Sequence, residues 1–150
     1  MRVTVEVNDA FNTDEVLIRC NKRTYKIDKL ESYIQSLNQI SIAFYKDDME
    51  YFLDLNLILF FETTENSIRA HTIDDVYKVN FRLYELEEQL PSYFLRISKS
   101  TIVNINHIYA IEKNITSSSL IKFQKTHKQV YVSRLYQKVL KEKMKERRYK

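Results

Sequence analysis

A mostly β, α+β fold is what this sequence predicts, on three observations. Between residues 40 and 80 the apolar residues come in short runs broken by polar turn-formers, the pattern of antiparallel strands. Helical spacing of apolar residues shows only at 24–37, at 81–90 and after Ser133. The chain has no glycine and one proline, Pro91, so its turns fall to Asn, Asp, Ser and Thr.

In chain order, Val3, Val5 and Val7 alternate on one face of a strand at 2–7, and Val16, Leu17 and Ile18 mark a second at 15–20. A helix follows, capped by Thr24 or Asp28, with Ile27, Leu30, Tyr33, Ile34 and Leu37 on one face. This ββα extension, residues 1–38, is too small to stand alone and should dock on the main domain or pair with a second copy of itself. From residue 40 a meander of strands is expected at 40–46, 50–53, 55–62, 67–72 and 76–80, with the continuously apolar 57–61 at the centre. Residues 81–90 read as a short helix with Leu83, Leu86 and Leu90 inward, stopped by Pro91. A strand at 109–113, a polar turn at 114–119 and a hairpin at 120–124 and 129–132 come next. Ser133 then caps a terminal helix with Leu135, Tyr136, Val139, Leu140 and Met144 inward and a basic outer face.

At 150 residues the chain suits one domain of 40–150 with the small extension before it. A lone Cys20 and three widely spaced histidines, His71, His107 and His127, give neither a disulfide nor a metal site. The absence of glycine excludes phosphate-cradling loops, and no cofactor or small-molecule substrate is expected. No signal peptide or spanning segment is visible, and the expected location is cytoplasmic. Charge is strongly segregated: residues 46–93 carry net −7 and residues 94–150 net +11, against +4 for the whole chain. That asymmetry suits a polyanion binder, or a solvated basic helix.

The stretch FLRISKSTIVNINHI, 94–108, holds the unusual chemistry. Strand alternation breaks at Ser98, Lys99, Ser100 and Thr101, a tip that is either a polar turn or a donor set for phosphate oxygens. Asp47, Asp48, Glu50 and Asp54 raise a metal-dependent nuclease, but around a hairpin turn they suit solvent-facing gatekeepers, and no nucleophile has a catalytic partner.

The ordered motifs LILFFET, AHT, YELEEQLP, FLRISKSTIVNINHI and QVYVSRLY resemble the LytTR family of bacterial DNA-binding domains over about residues 40–145. The resemblance implies a fold of short strands that presents loops, rather than a recognition helix, to successive major grooves. It places contacts in the loop of Asn66, Ser67, Ile68 and Arg69, at the tip of Ser98, Lys99 and Ser100, and at Arg134. Where some members read bases late in the first loop this chain has Ile68, so reading passes to Asn66 or Arg69, or Ile68 meets a thymine methyl. Asn104 matches the family motif and reads as a buried residue holding a turn. The N-terminal unit resembles the extension of stand-alone members, which implies a small membrane protein as regulatory partner.

The expected function is therefore a sequence-specific transcription regulator acting as a homodimer on DNA, without catalysis. Arg69, Lys99, Lys128, Arg134 and Lys138 would neutralise about five phosphates, giving a log–log salt slope of roughly −4 to −5. With only about forty residues before the main domain, control by a partner protein is expected rather than by an attached receiver domain. The alternative is an interaction module binding acidic partners or anionic surfaces without sequence preference.

Overall fold

The computed structural model describes residues 1–37, 40–114 and 118–148. By its internal contacts the chain divides into two units, Met1–Asn38 and Gln39–Lys150. The expected 114–119 turn has its centre outside the described residues, as do positions 38 and 39 at the expected domain boundary.

In the first unit, α1 spans Tyr25–Leu37 and begins directly after Thr24, with Asp28 in its first turn. The Arg23 guanidinium pairs with Asp28 at 2.6 Å and also with Glu31. No strand forms at 2–7 or 15–20, contrary to the ββα expectation. An isolated two-stranded ribbon is marginal in water, and the two segments do not pair with each other within the unit.

The second unit is built on a seven-stranded antiparallel sheet in the order β2-β1-β5-β4-β3-β7-β6. Its strands are β1 (Phe44–Lys46), β2 (Met49–Tyr51), β3 (Phe60–Thr64), β4 (Ser67–His71), β5 (Val76–Val79), β6 (Phe94–Arg96) and β7 (Thr101–Asn104). A second sheet, in the order β10-β9-β8, contains β8 (Ile108–Lys113), β9 (Ser119–Phe123) and β10 (Gln129–Val132). Helix α2 (Leu83–Gln89) lies between β5 and β6 in sequence, and α3 (Gln137–Arg148) ends the described chain.

Neighbouring strand residues point to opposite faces, which explains the continuously apolar run through β3. Phe61 enters one core with Phe44, Ile102 and Leu86 of α2, while Phe60 enters the other with Val103, Ile121, Val132 and Leu140 of α3. Burying each ring contributes about 2–3 kcal/mol. The central strand is shorter than the expected 55–62. Asp54 accepts the Asn56 amide at 2.9 Å and turns Leu55–Leu57 into a 3₁₀ helix, leaving Leu57 exposed.

Having no glycine, the chain places Asp47, Asp48, Glu65 and Lys125 at positive φ between 51° and 62°. All four lie between consecutive strands, at the turns β1–β2, β3–β4 and β9–β10, where the tight reversal demands that geometry. Asp47 and Asp48 thus serve the β1–β2 hairpin, and no group of three or more His, Cys, Asp or Glu among the described residues could hold a metal ion.

At the C-terminal end, Arg134–Tyr136 form a 3₁₀ turn before α3, and Ser133 caps that turn without a side-chain hydrogen bond. Leu140 is buried, with Tyr136 and Met144 packed near it, but Leu135 is 83% exposed. A 3₁₀ turn takes three residues rather than 3.6, so the helical phase that would carry Leu135 inward fails there.

Candidate nucleic-acid interface

Three loops far apart in sequence are tied together by backbone hydrogen bonds at one end of the large sheet. The Thr63 amide donates to the Ser100 carbonyl at 2.8 Å, which sets the β3–β4 turn beside the 97–100 loop. On the other side of that loop, the Ser133 amide donates to the Ile97 carbonyl at 2.9 Å, which brings in the segment after β10.

The middle loop is anchored at its base and braced from beneath. Ile97 and Thr101 are buried, and the Ile97 amide donates to the Thr101 carbonyl at 3.0 Å. The Ser98 hydroxyl accepts the Ser100 amide at 3.2 Å, so this serine shapes the tip. Arg96 spans the loop from below. Its Nε donates to the Ser98 carbonyl at 2.7 Å, its Nη2 to the Lys99 carbonyl at 2.5 Å and its Nη1 to the Glu87 carboxylate of α2 at 2.8 Å. Lys99 and Ser100 stand exposed at the summit.

In the first loop only part of the expected set faces outward. Asn66 is exposed at the turn beside Glu65, and Ser67 is half-buried with its hydroxyl near the Thr64 carbonyl at 3.4 Å. Arg69 lies half-buried on the sheet face, across from Glu62 and Lys78. Ile68 is 6% exposed and belongs to the core with Phe61, so the expected thymine-methyl contact is corrected: its side chain points away from the loop surface.

Lys128 needs a second correction. Its ammonium donates to the carbonyls of Thr72 at 2.7 Å and Asp75 at 2.8 Å, tying the β9–β10 turn to the β4–β5 turn. Burial draws it below the usual lysine range, opposed by Asp75, Asp74 and Glu62. It is a clamp between the two sheets, and the loops described above do not include it. Arg134, Leu135 and Lys138 are exposed on the third segment.

Asn104 has the structural role its motif suggested. It is 1% exposed, donates from Nδ2 to the Ile58 carbonyl at 3.0 Å and accepts the Asn106 amide at 3.0 Å.

The sequence reading missed Arg96, Glu87 and His71. Strand alternation sets Arg96 on the same face as the buried Phe94, and neither its turn toward the loop nor its bracing by α2 had a local signal. His71 stacks on Phe60 with 4.2 Å between ring centroids and contacts Glu62 through Nε2 at 2.7 Å. Burial is the largest influence on its pKa and lowers it, with Lys128 and Arg69 adding to the effect and Glu62 opposing it.

The LytTr DNA-binding domain model matches residues 48–145, more than half of the chain. The chain belongs to the LytTR family of DNA-binding domains. It is similar to an uncharacterized HTH-type transcriptional regulator of Staphylococcus aureus strain COL, 34% identical over 123 residues that cover 78% of this chain and 82% of the relative. The counterpart in strain MRSA252 is 33% identical with the same coverage. In fold it resembles the solved LytTr DNA-binding domain of a Bacillus cereus protein described as a methyl-accepting/DNA response regulator. That match has a TM-score of 0.63 and 24% identity, covering 69% of this chain and 95% of the other. This LytTR protein is thus a DNA-binding transcriptional regulator whose architecture is mostly antiparallel strand. No helix among its described residues is long and apolar enough to cross a membrane.

Proposed function

We propose that this LytTR protein reads DNA with its three adjoining loops, inserting the 97–100 tip and its neighbours into successive major grooves in the cytoplasm. The observation that carries the reading is the pair of backbone hydrogen bonds, Thr63 to Ser100 and Ser133 to Ile97, that sets the loops side by side. Asn66 then reaches base edges, and Arg69, Lys99, Arg134 and Lys138 supply phosphate and base contacts with the Ser67, Ser98 and Ser100 hydroxyls near the backbone. Its relatives are described as HTH-type. In this chain α2 and α3 are separated by the five strands β6–β10, and among the described residues no two helices follow one another across a short turn. That arrangement supports loops, with the start of α3 at Lys138, rather than a helix-turn-helix as the reading surface.

With Lys128 withdrawn, four cations remain, and log affinity should fall with log salt at a slope of about −3.6. Two copies would sit on one duplex face at spaced half-sites. A partner protein, by family resemblance a small membrane protein, would dock on the acidic 46–93 segment to control access. The test is binding to a duplex of the gene's own upstream region against a scrambled duplex at two salt concentrations, with Lys99→Ala and Arg134→Ala. Preference for the native duplex that is lost in both variants is expected. Equal binding to both duplexes would overturn the reading, and co-precipitation without a membrane partner under any growth condition would remove that part of it.

A further inference from the structure

We propose that two copies of this chain pair through residues 2–7 as an antiparallel ribbon centred on Thr4, making the N-terminal unit the dimer surface. The proposal deepens the two-copy reading above and rests on it, although pairing is expected without DNA.

The first observation is unfinished burial. Val3, Val5 and Val7 are each more than 80% exposed, and no residue of α1 is buried. Removing valine side chains from water is favourable, so three on one face leave a substantial stabilisation unused. Their spacing of two suits a strand, yet no strand forms there within one copy.

The second observation is self-complementarity, which selects the occupant. In an antiparallel pair about Thr4, Val3 faces Val5 of the second copy and Met1 faces its Val7 on one side of the ribbon. On the other side Arg2 faces Glu6 of the second copy and Thr4 faces Thr4. Every cross-strand pair is then apolar with apolar, cation with anion or hydroxyl with hydroxyl, each a stabilising combination. A slip of one residue sets Val3 against Glu6 and Arg2 against Val7. A slip of two, about Val5, keeps valines opposed but leaves Arg2 against Asn8 and Glu6 against Thr4. A partner of one charge sign would answer either Arg2 or Glu6 and repel the other; a second copy answers both.

A ribbon needs a second layer. The same unit offers one in the groove between the 16–20 segment and α1, where Val16, Ile18, Ile27 and Ile34 lie beside the paired Arg23 and Glu31. The paired valine face would close on that bed.

Sedimentation of the full chain without DNA tests the proposal. The wild type is expected to dimerise, and Arg2→Glu and Glu6→Arg each to weaken the dimer about tenfold by opposing like charges at two symmetry-related positions. Mixing the two variants should recover wild-type affinity, because positions 2 and 6 are both acidic in one variant and both basic in the other, so each faces an opposite charge across the ribbon. The double swap in one chain should recover it too. In a Cys20→Ser background, Thr4→Cys should form a disulfide across the axis on mild oxidation while Val5→Cys does not. A monomer at every concentration, dimerisation of both single variants as tight as the wild type, or no recovery on mixing would overturn the proposal. DNA preference of these variants for a single half-site, measured below the concentration at which they dimerise, reports on the loops alone, so failure of either reading is seen separately.

Discussion

The Arg96 guanidinium donates to the Lys99 carbonyl at 2.5 Å while the same group holds the Glu87 carboxylate at 2.8 Å. A planar fork with several fixed donors orders the loop before anything binds, which spares that entropy on association. Arg96→Lys keeps the charge but loses the fork, and DNA affinity is expected to fall about tenfold, the cost of ordering roughly one backbone residue. If Arg96 acts by positioning Lys99, then Arg96→Lys combined with Lys99→Ala should bind no worse than Lys99→Ala alone. Fully additive losses in a titration of the four proteins would show that Arg96 touches DNA itself.

Lys128 separates clamp from contact. Its two carbonyl bonds join turns more than fifty residues apart. Lys128→Met should cost about 1–2 kcal/mol of stability, seen as a lower urea midpoint, while DNA affinity and salt slope stay at wild-type values. A slope shallower by about 0.9 with an unchanged midpoint would return Lys128 to the DNA surface.

These residues show which parts of the site were legible in sequence. The tip with Lys99 was visible because polar residues break a strand alternation, and β3 because both its faces are apolar. Ile68 was misassigned although its signal was present: Ile68 and Ala70 alternate with Ser67, Arg69 and His71 along β4, which puts the first pair in the core. Leu135 was misplaced because a 3₁₀ turn shifts the helical phase, and Lys128 because its partners are remote backbone carbonyls that no local pattern announces. The N-terminal strands were expected from apolar spacing alone, and none forms at 2–7 or 15–20, because a strand exists only with a paired neighbour, which spacing does not supply.

Asn104 occupies the junction where β7 leaves the large sheet, and its amide answers two backbone groups on separate segments. Asn104→Ala would leave the Ile58 carbonyl and the Asn106 amide without their partner, and each such loss costs about 1–3 kcal/mol. A destabilisation of about 2–4 kcal/mol in urea unfolding is expected. Asn104→Asp keeps the acceptor for Asn106 but sets a buried carboxylate against the Ile58 carbonyl, and should cost at least as much as the alanine variant. A loss under about 1 kcal/mol for the alanine variant would mean that water replaces both bonds easily.

His71 gives the fold a pH dependence whose sign can be worked out. Its Nε2 meets Glu62, and its Nδ1 is buried without a partner, so a second ring proton would be buried with no acceptor. Burial, with Lys128 and Arg69 nearby, holds the folded-state value below the ordinary 6.5, against the pull of Glu62. The unfolded chain therefore binds a proton that the folded chain refuses, and stability must fall as pH drops below about 6.5. Asp75, drawn below its ordinary 3.8 chiefly by its bond to Lys46, acts in the same sense from about pH 3.8 downward. Thermal midpoints between pH 7.5 and 5 should decline for the wild type and stay flatter for His71→Gln, which cannot titrate. Parallel curves for the two proteins would assign the dependence to other groups.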